Sequence, residues 1–307
     1  MLISSILTTI GLALFESVTS IDNAIINAEA LGTMQPKARR WFLTWGMLLA
    51  VFGVRGVLPW LIVWIMTPHV GPWQAFTASL TSDPTALHAI RESAPVLLMG
   101  GGVFFIFLFF HWIFIEPKKY GLPVEPIIAR QGAWFYAVVS ILLTVVVWFA
   151  LDRNPMLAFG AVMGSTAFFI IHGFRRHAEE HEQRLLRDER HFSDIGKILY
   201  LEVIDMTFSI DGIVGAFAFT LSVPLILLGN GIGAVVVREL TYYGVQRIKK
   251  YVYLKNGAMY SILVLGIVML AHGFGGQVPQ WLSPLATFLI VGYFFFKSLL
   301  KGRRTEA

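Results

Sequence analysis

Long apolar segments alternate with short polar connections along the whole chain. A helix needs about 20 mainly apolar residues to cross the hydrocarbon core of a membrane. Nine segments meet or approach this length, so the sequence predicts an all-α, polytopic membrane protein that forms one integral membrane domain over residues 1–307. The predicted spans are Leu2–Ala28, Trp41–Met66, Ala94–Ile115, Ala133–Leu151, Met156–Ile171, Ile198–Thr220, Pro224–Gln246, Gly257–Ala271 and Trp281–Phe296.

The positions of the basic residues assign a side of the membrane to each connection. Of the 24 Lys and Arg residues, 20 lie in the C-terminal tail and in the connections after the first, third, fifth and seventh spans. Short cytoplasmic loops hold an excess of Lys and Arg, so these connections are predicted to be cytoplasmic. We therefore expect a multi-pass cell-membrane protein, typical of a bacterial inner membrane, with its N-terminus outside and its C-terminus in the cytoplasm.

Composition supports the membrane assignment and narrows the chemistry. Hydrophobic residues make up 56% of the chain and charged residues only 14%, whereas soluble domains carry about 25% charged residues. The net charge of +5 follows from the basic connections, so membrane lipid is expected as a partner and nucleic acid is not. The chain has no cysteine, which excludes disulfides, thiolate metal sites and cysteine nucleophiles.

Two of the predicted spans contain the same acidic pattern. The first is "FESVTSIDNA", Phe15–Ala24, and the second lies within "LEVIDMTFSIDGIVGA", Leu201–Ala216. When the two Ser-Ile-Asp triplets are aligned, the residue four positions before the serine is acidic in both copies, as Glu16 and Asp205. The shared pattern suggests that one segment of the chain is a duplicate of the other.

The spans that follow the two acidic copies also resemble each other. The segments "GMLLAVFGVR" and "GNGIGAVVVR" each contain a glycine, a small residue four positions on, and an arginine nine positions on, Arg55 and Arg238. The copies begin in the first and sixth spans, so they cross the membrane in opposite senses. An inverted repeat is therefore predicted, with repeat one at about residues 1–66 and repeat two at about 198–248, a plan common in secondary transporters.

Six acidic residues fall inside predicted spans, where an isolated charge costs at least a few kcal/mol. Carboxylates with amide and hydroxyl oxygens nearby suit hard divalent cations such as Mn²⁺, Mg²⁺ or Ca²⁺, and the same carboxylates can relay protons. The alternative is purely structural, with the acids paired to Arg55 and Arg238, although six acids then face two arginines. The acids are Glu16, Asp22, Glu202, Asp205, Asp211 and Glu239.

Helical geometry separates Asp22 from the other acid of the first copy. At 3.6 residues per turn, Glu16 and Ser20 share a face, whereas Asp22 lies about 120° away. For Asp22 to join the cluster, either the helix breaks between Ser20 and Asn23, or Asp22 meets Asp211 across the axis that relates the repeats. Asn23 and, in the second copy, Gly212 are weak helix formers, which is compatible with a local break at either Ser-Ile-Asp triplet.

The two acidic copies resemble the signatures of the TerC family of integral membrane proteins, which is named for tellurium resistance. The first copy is similar to the E-x5-D-N signature, and "LEVIDMTFSIDGIVGAFA" is similar to E-x-x-D followed by F-x-x-D. The resemblance implies manganese export. Carried over by position, it also implies a set of metal ligands, namely Glu16, Asp22, Asn23, Glu202, Asp205 and Asp211. The chain departs from the family at Gly212 and in long connections at Thr67–Ser93 and Arg175–Lys197.

The expected function is therefore a secondary transporter that exports a divalent cation, with Mn²⁺ as its substrate, and not an enzyme. Coupling to protons is an additional expectation. The alternative is a membrane interaction factor that assists metal loading or assembly of other proteins through its long connections, within a homo-oligomer or a membrane complex. The charged connection at 175–197 contains "HAEEH", His177–His181, which fits a zinc-protease pattern and equally fits a solvated, charge-rich helix.

Overall fold

The computed structural model describes residues 2–32, 34–46, 49, 53, 55–67, 70–81, 84–118, 120–187, 194–241 and 251–305. Within these ranges the regular secondary structure is entirely helical, as predicted. The first elements are α1 (Leu2–Thr19), α2 (Ile21–Gly32), α3 (Pro36–Trp41), a π-helical turn (Phe42–Gly46), α4 (Val57–Met66), α5 (Pro72–Thr81), α6 (Pro84–Phe114) and α7 (Glu125–Ala129). They are followed by α8 (Trp134–Leu151), α9 (Pro155–Arg187), α10 (Asp194–Ala216), α11 (Val223–Glu239), α12 (Leu254–Gly273) and α13 (Leu282–Thr305).

Five of the described helices are long and apolar enough to cross a membrane, which makes the chain a membrane protein. They correspond to the predicted third, fourth, fifth, eighth and ninth spans. Their membrane segments are His88–Phe114 in α6, Trp134–Leu151 in α8, Pro155–Phe174 in α9, Leu254–Gly273 in α12 and Leu282–Lys301 in α13. Among the described residues of the first, second, sixth and seventh predicted spans there is one further apolar helix, Ile3–Thr19, which is shorter. That the first, second, sixth and seventh segments also span the membrane therefore stays a prediction.

Helix α6 lies at the centre of the bundle, and its glycines allow two neighbours to approach closely. A β-carbon at Gly100 would stand 2.9 Å from the carbonyl oxygen of Gly160 in α9. A β-carbon at Gly102 would stand 3.0 Å from the carbonyl oxygen of Gly266 in α12. Small residues at such positions allow helix backbones to pack directly in a membrane, so α6, α9 and α12 form a rigid apolar frame.

The two long connections are more helical than the sequence analysis expected. The segment Thr67–Ser93 contains α5 and the first turns of α6, and the indole nitrogen of Trp60 in α4 donates a hydrogen bond to the carbonyl of Pro72 at 2.6 Å. The segment Arg175–Lys197 continues α9 as far as Arg187, and α10 begins at Asp194. Charged residues remain compatible with a helix, so a charge run alone does not identify a loop.

The first predicted span is interrupted, whereas its counterpart in the second copy is not. Helix α1 ends at Thr19 and α2 begins at Ile21, with Ser20 in a turn between them. Backbone hydrogen bonds from Ser20 to Glu16 (3.1 Å) and from Ala24 to Ser20 (2.9 Å) carry the chain across this turn. Helix α10 continues without a break through Ser209 and Asp211. The second predicted span, Trp41–Met66, is also irregular, because it contains the π-helical turn Phe42–Gly46.

Helix α1 packs directly against α11 through two glycines of the second copy. A β-carbon at Gly229 would stand 2.6 Å from Leu12 Cβ, and one at Gly233 would stand 2.6 Å from Glu16 Cβ. Because Gly229 and Gly233 are one helical turn apart, they form a flat stripe on which α1 rests. Helix α1 of the first proposed repeat thus contacts α11 of the second. In the same way, α10 of the second repeat contacts the π-helical turn of the first.

Candidate functional site

The acidic residues of the two copies meet at Arg55, which lies just before α4. Arg55 Nε is 2.9 Å from Glu16 Oε1, and Arg55 Nη1 is 3.8 Å from Asp205 Oδ2. Glu16 is completely buried and Arg55 is 3% exposed. The Glu16 contact is a close ion pair that lacks the alignment of a hydrogen bond. One arginine therefore bridges the two acids that the sequence alignment placed at equivalent positions.

Serine hydroxyls lie beside both bridged acids but bond differently. The Ser20 hydroxyl donates to Glu16 Oε1 at 2.9 Å, whereas the equivalent Ser209 hydroxyl donates to the backbone carbonyl of Asp205 at 2.5 Å. Glu16 Oε2 has no hydrogen-bond partner among the described residues. The two copies therefore share positions while their side chains have different hydrogen-bonding roles.

Two glycines create the space that the carboxylates occupy. A β-carbon at Gly212 would overlap Glu16 Oε2, and a β-carbon at Gly46 would overlap Glu202 Oε1. Each glycine lies on a helix that faces the acid, α10 for Glu16 and the π-helical turn for Glu202. Gly212, where the chain departs from the TerC pattern, therefore has a definite steric role.

The acids of the second copy follow one another along α10. From Asp211 to Glu202 the helix rises about 13 Å. All three acids are buried, and the charges of Asp205 and Asp211 act on Glu16. Glu202 has no hydrogen-bond partner on either carboxylate oxygen among the described residues. We call Glu16, Asp211, Asp205 and Glu202 the acid ladder, because they form a series along the helices.

A small acidic cavity lies at the Glu202 end of the ladder. Its volume is about 50 Å³, and Asn27, Arg55, Arg238, Glu202 and Asp205 contribute to its wall. The four carboxylates of the ladder face the two arginines, which leaves two negative charges in excess when all of these groups are ionised. The wall of the cavity itself contains two of these carboxylates, Glu202 and Asp205, and both arginines, so its described charges balance and the excess belongs to the ladder as a whole.

Two larger cavities lie at opposite ends of the ladder. One, of about 370 Å³, is lined by Ala28, Leu31, Gly32, Arg39 and Thr241, and we call it the Arg39 cavity. It shares Thr241 with the acidic cavity. The other, of about 500 Å³, is rich in hydroxyl groups, and we call it the hydroxyl cavity; Ser4, Thr8, Arg91, Thr220, Ser222 and Gln280 are among its lining residues.

The structure does not bring all six predicted metal ligands together. Glu16, Glu202, Asp205 and Asp211 belong to the ladder. The backbones of Asp22 and Asn23 lie in the first turn of α2, after the turn at Ser20, and their side chains fall outside the described part of the chain. Among the described residues, no group of three or more His, Asp or Glu side chains is close enough to hold one metal ion. The predicted metal ligation therefore stays a prediction.

Two further candidates from the sequence, Glu239 and the "HAEEH" segment, are not part of the acid ladder. Glu239, at the end of α11, is exposed and lies apart from the buried ladder. The "HAEEH" segment lies in the helical backbone of α9, and its side chains are outside the described residues. A helical backbone agrees with both readings of this segment.

Asn230 is a buried polar residue that the sequence analysis missed. It is 0% exposed, and neither its amide nitrogen nor its amide oxygen has a hydrogen-bond partner among the described residues. It lies one helical turn before Ala234, which lines the acidic cavity. An unpaired amide inside an apolar bundle is energetically costly, so Asn230 is a candidate ligand. The signal in the sequence is an asparagine between glycines in "GNGIG".

A comparison with protein families identifies a family for this chain but assigns no activity to it. The family described as protein of unknown function (DUF475) matches residues 21–305, which include all of the second acidic copy and the last four residues of the first, Ile21–Ala24. Neither the curated proteins nor the solved structures contain a match. The resemblance to TerC stays a prediction, and the functional assignment depends on the site itself.

Proposed function

We propose that this protein, which belongs to the DUF475 family of proteins of unknown function, is a secondary transporter that exports a divalent metal cation from the cytoplasm. The proposal depends mainly on one observation. Among the described residues, the ladder contains four buried carboxylates, and two arginines lie beside it at the cavity, so a divalent cation would neutralise the excess negative charge of the ladder. Buried ionisable residues in membrane helices usually face a partner or an ion pathway.

Arg55 acts in this proposal as a tethered substitute for the cation. Its guanidinium lies between Glu16 and Asp205, where a metal ion shared by both acids would be held. The contact with Asp205 is the longer of the two, so it is the one that breaks first when a cation arrives. The cation binds Glu202 and Asp205 and then passes along the ladder towards Asp211 and Glu16.

The size of the acidic cavity favours an ion that loses water readily. A cation with six waters needs a cavity of at least roughly 60–90 Å³, because each water takes up about 10–15 Å³ of accessible cavity volume although it occupies about 30 Å³ in the liquid; this exceeds the cavity of about 50 Å³. The carboxylates and the Asn27 and Asn230 amides must therefore replace part of the water. Mg²⁺ dehydrates reluctantly, so the site selects against it, and we propose Mn²⁺ as the substrate.

The contacts between the two copies support an inverted repeat. Helix α1 packs against α11, and α10 touches the π-helical turn, so each copy contributes one helix to each contact. Together with the bridge from Arg55 to Glu16 and Asp205, this arrangement suits a site formed where two repeats meet. We propose that the acidic segments also span the membrane, giving nine spans with the N-terminus outside.

Proton coupling is a further part of the proposal. Glu202 has no hydrogen-bond donor among the described residues, and its carboxylate lies at the cavity end of the ladder. A carboxylate in this position can bind a proton when the metal has left, so that protons enter as the cation departs. Transport that does not respond to an imposed pH gradient would remove this part alone.

The test is Mn²⁺ flux into inverted membrane vesicles that contain the full chain. Wild type is compared with Glu16→Gln, Asp205→Asn, Asp211→Asn and Asp22→Asn, each at matched protein level. We expect the first three variants to lose at least about 90% of the flux, because each removes a buried charge that the cation needs. The Asp22→Asn result decides whether Asp22 also belongs to the site.

Glu239→Gln is the matched control, because Glu239 is an exposed acid on a helix that contacts the ladder. It should transport at the wild-type rate. Mg²⁺ supplied in place of Mn²⁺ should give a much smaller flux. If the three ladder variants transport Mn²⁺ as well as the control does, the proposed function is wrong.

A further inference from the structure

The two ends of the acid ladder differ in their access to water. At the Glu202 end, the acidic cavity and the Arg39 cavity share Thr241, so a polar route leads away from the acids. This route lies beside the segments around Arg39 and Thr241, which the distribution of basic residues assigns to the cytoplasmic side. At the Glu16 end, the next hydroxyls along α1 are those of Thr9 and Thr8, about 11–12 Å further on.

An apolar layer fills the gap between Thr8 and Glu16. Leu12 and Ile226 are 0% exposed, and Phe15 is 1% exposed. The Phe15 ring lies 6.1 Å from the Phe105 ring and 5.8 Å from the Phe219 ring, measured between centroids. None of these side chains carries a polar atom, so they offer no ligand to an ion, and the buried amide at this level is that of Asn230, next to Gly229 on α11.

Leu12 lies at a close contact between α1 and α11 within the layer. Its β-carbon would lie 2.6 Å from a β-carbon at Gly229, which means that α1 and α11 meet here without a gap. One turn further in, Gly233 makes the same contact with Glu16. An ion can pass Leu12 only when α1 and α11 move apart, and this interface belongs to the two different repeats.

The hydroxyl cavity on the far side of Leu12 has the chemistry of a release site. None of the described residues that line it is Asp or Glu, and Arg91 is the one Lys or Arg among them. Ser4, at its rim, donates a hydrogen bond to Gln280 at 3.0 Å. Its volume of about 500 Å³ exceeds the roughly 60–90 Å³ that a cation with six waters needs.

The segments around the hydroxyl cavity all belong to the predicted outer side. They are the N-terminus, the residues that precede the third span, and the connections that follow the sixth and eighth spans. The basic-residue pattern predicts this shared side independently of the cavity. The cavity is thus the counterpart, across Leu12, of the cytoplasmic route through Thr241.

We propose that the hydroxyl cavity is the exit vestibule in which a hydrated divalent cation leaves the protein, and that Leu12 is the closed gate between this vestibule and the acid ladder. The described conformation is therefore inward-facing. The proposal builds on the proposed function, because it assigns the two sides of the same pathway. Hydroxyl groups hold a hydrated ion weakly, and Arg91 repels it, so the vestibule favours release.

The experiment uses the absence of cysteine from the native chain, which makes every introduced thiol unique. Thr8→Cys, Leu12→Cys and Thr241→Cys are expressed in full-length protein and treated with a membrane-impermeant maleimide, in intact cells and in inverted vesicles. Without Mn²⁺, the maleimide should modify Thr8→Cys from the outside and Thr241→Cys from the cytoplasmic side. Leu12→Cys should react from the outside at least about tenfold more slowly than Thr8→Cys, because access requires local opening.

Addition of Mn²⁺ to the cytoplasmic side should accelerate the outside reaction of Leu12→Cys, since turnover opens the gate. Complete labelling in detergent with denaturant shows that each thiol is present and reactive. The gate proposal would be wrong if the maleimide modified Thr8→Cys and Leu12→Cys from the outside at equal rates. It would also be wrong if Thr241→Cys were modified from the outside. The labelling pattern without Mn²⁺ does not depend on transport. Labelling therefore tests the gate, Mn²⁺ flux tests the proposed function, and either proposal can be refuted without the other.

Discussion

Gly212 of α10 lies directly against the carboxylate of Glu16 of α1, so closely that a β-carbon at position 212 would overlap Glu16 Oε2. The two residues belong to different copies of the acidic pattern, and their contact fixes the distance between α1 and α10 at the level of the ladder. The absence of a side chain at position 212 is therefore a condition for the Arg55 bridge.

Gly212→Ala should damage the site. The added methyl group pushes the Glu16 carboxylate away from Arg55, and overpacking of a tight interior typically costs about 1–3 kcal/mol. We expect the melting temperature of the protein in detergent, measured by tryptophan fluorescence, to fall. We also expect a loss of Mn²⁺ flux. Gly292→Ala in α13 is the control, because no atom lies within 4 Å of its β-carbon position. If both variants melt and transport alike, the contact has no steric role.

Arg55 should be essential for the stability of the protein only while Glu16 is charged. Arg55→Met leaves Glu16 as a buried, unpaired charge, and the loss of one partner of a buried ion pair costs about 3–5 kcal/mol. The double variant Glu16→Gln with Arg55→Met removes both charges and should recover most of the lost melting temperature. Neither variant should transport Mn²⁺. A double variant that is less stable than Arg55→Met alone would contradict the pairing.

The sequence predicted the partners in the site better than it predicted the helices. Alignment of the two Ser-Ile-Asp triplets placed Glu16 and Asp205 at equivalent positions, and Arg55 bridges these two acids. This is the pairing that the structural alternative expected, since a buried charge in a membrane helix needs a compensating group, whereas the six-residue metal site stays a prediction. Hydropathy also located the five long helices, because a span requires a minimum apolar length.

The sequence left a break between Ser20 and Asn23 open as one of two alternatives, and it gave no sign of the steric contacts. Ser20 interrupts the first copy, whereas the identical triplet at Ser209 continues α10, so the local sequence does not decide the outcome. Glu125 lies in a charged connection yet is 1% exposed, because Asn256 and Tyr260 of α12 donate hydrogen bonds to it at 2.7 Å and 3.1 Å. Such contacts join residues far apart in the chain.

Asn230 should contribute to transport but not to stability. Neither amide atom has a partner among the described residues, and such a buried group costs about 1–3 kcal/mol. Asn230→Leu keeps the side-chain size, so its melting temperature should equal or exceed that of the wild type while Mn²⁺ flux falls. Asn256→Leu is a contrasting control, because Asn256 donates to Glu125 and its loss should destabilise the protein. Wild-type flux in Asn230→Leu would remove Asn230 from the site.

Lys118 lies in the connection after α6, outside the membrane segments, and other charged side chains surround it. Its ammonium donates to the carbonyl of Trp112 and lies 3.5 Å from the centroid of the Trp112 ring. Burial lowers the pKa of Lys118 from 10.5 to about 8, with Lys255 acting in the same direction, while Glu116 and Glu125 oppose the change. Lys255 itself forms an ion pair with Glu116 at 2.7 Å.

This depressed pKa predicts a rise in stability with pH. Between pH of about 8 and 10.5, the unfolded chain keeps a proton that folded Lys118 has lost, so the free energy of unfolding increases through this window. Lys118→Met should reduce the rise. NMR titration of the protein with methylated lysines should show the pKa of Lys118 directly, after assignment by Lys118→Arg. Lys255→Met should raise this pKa and Glu116→Gln should lower it, because they remove a repulsive and an attractive charge respectively. A pKa that neither variant changes would show that the charged group does not act on Lys118.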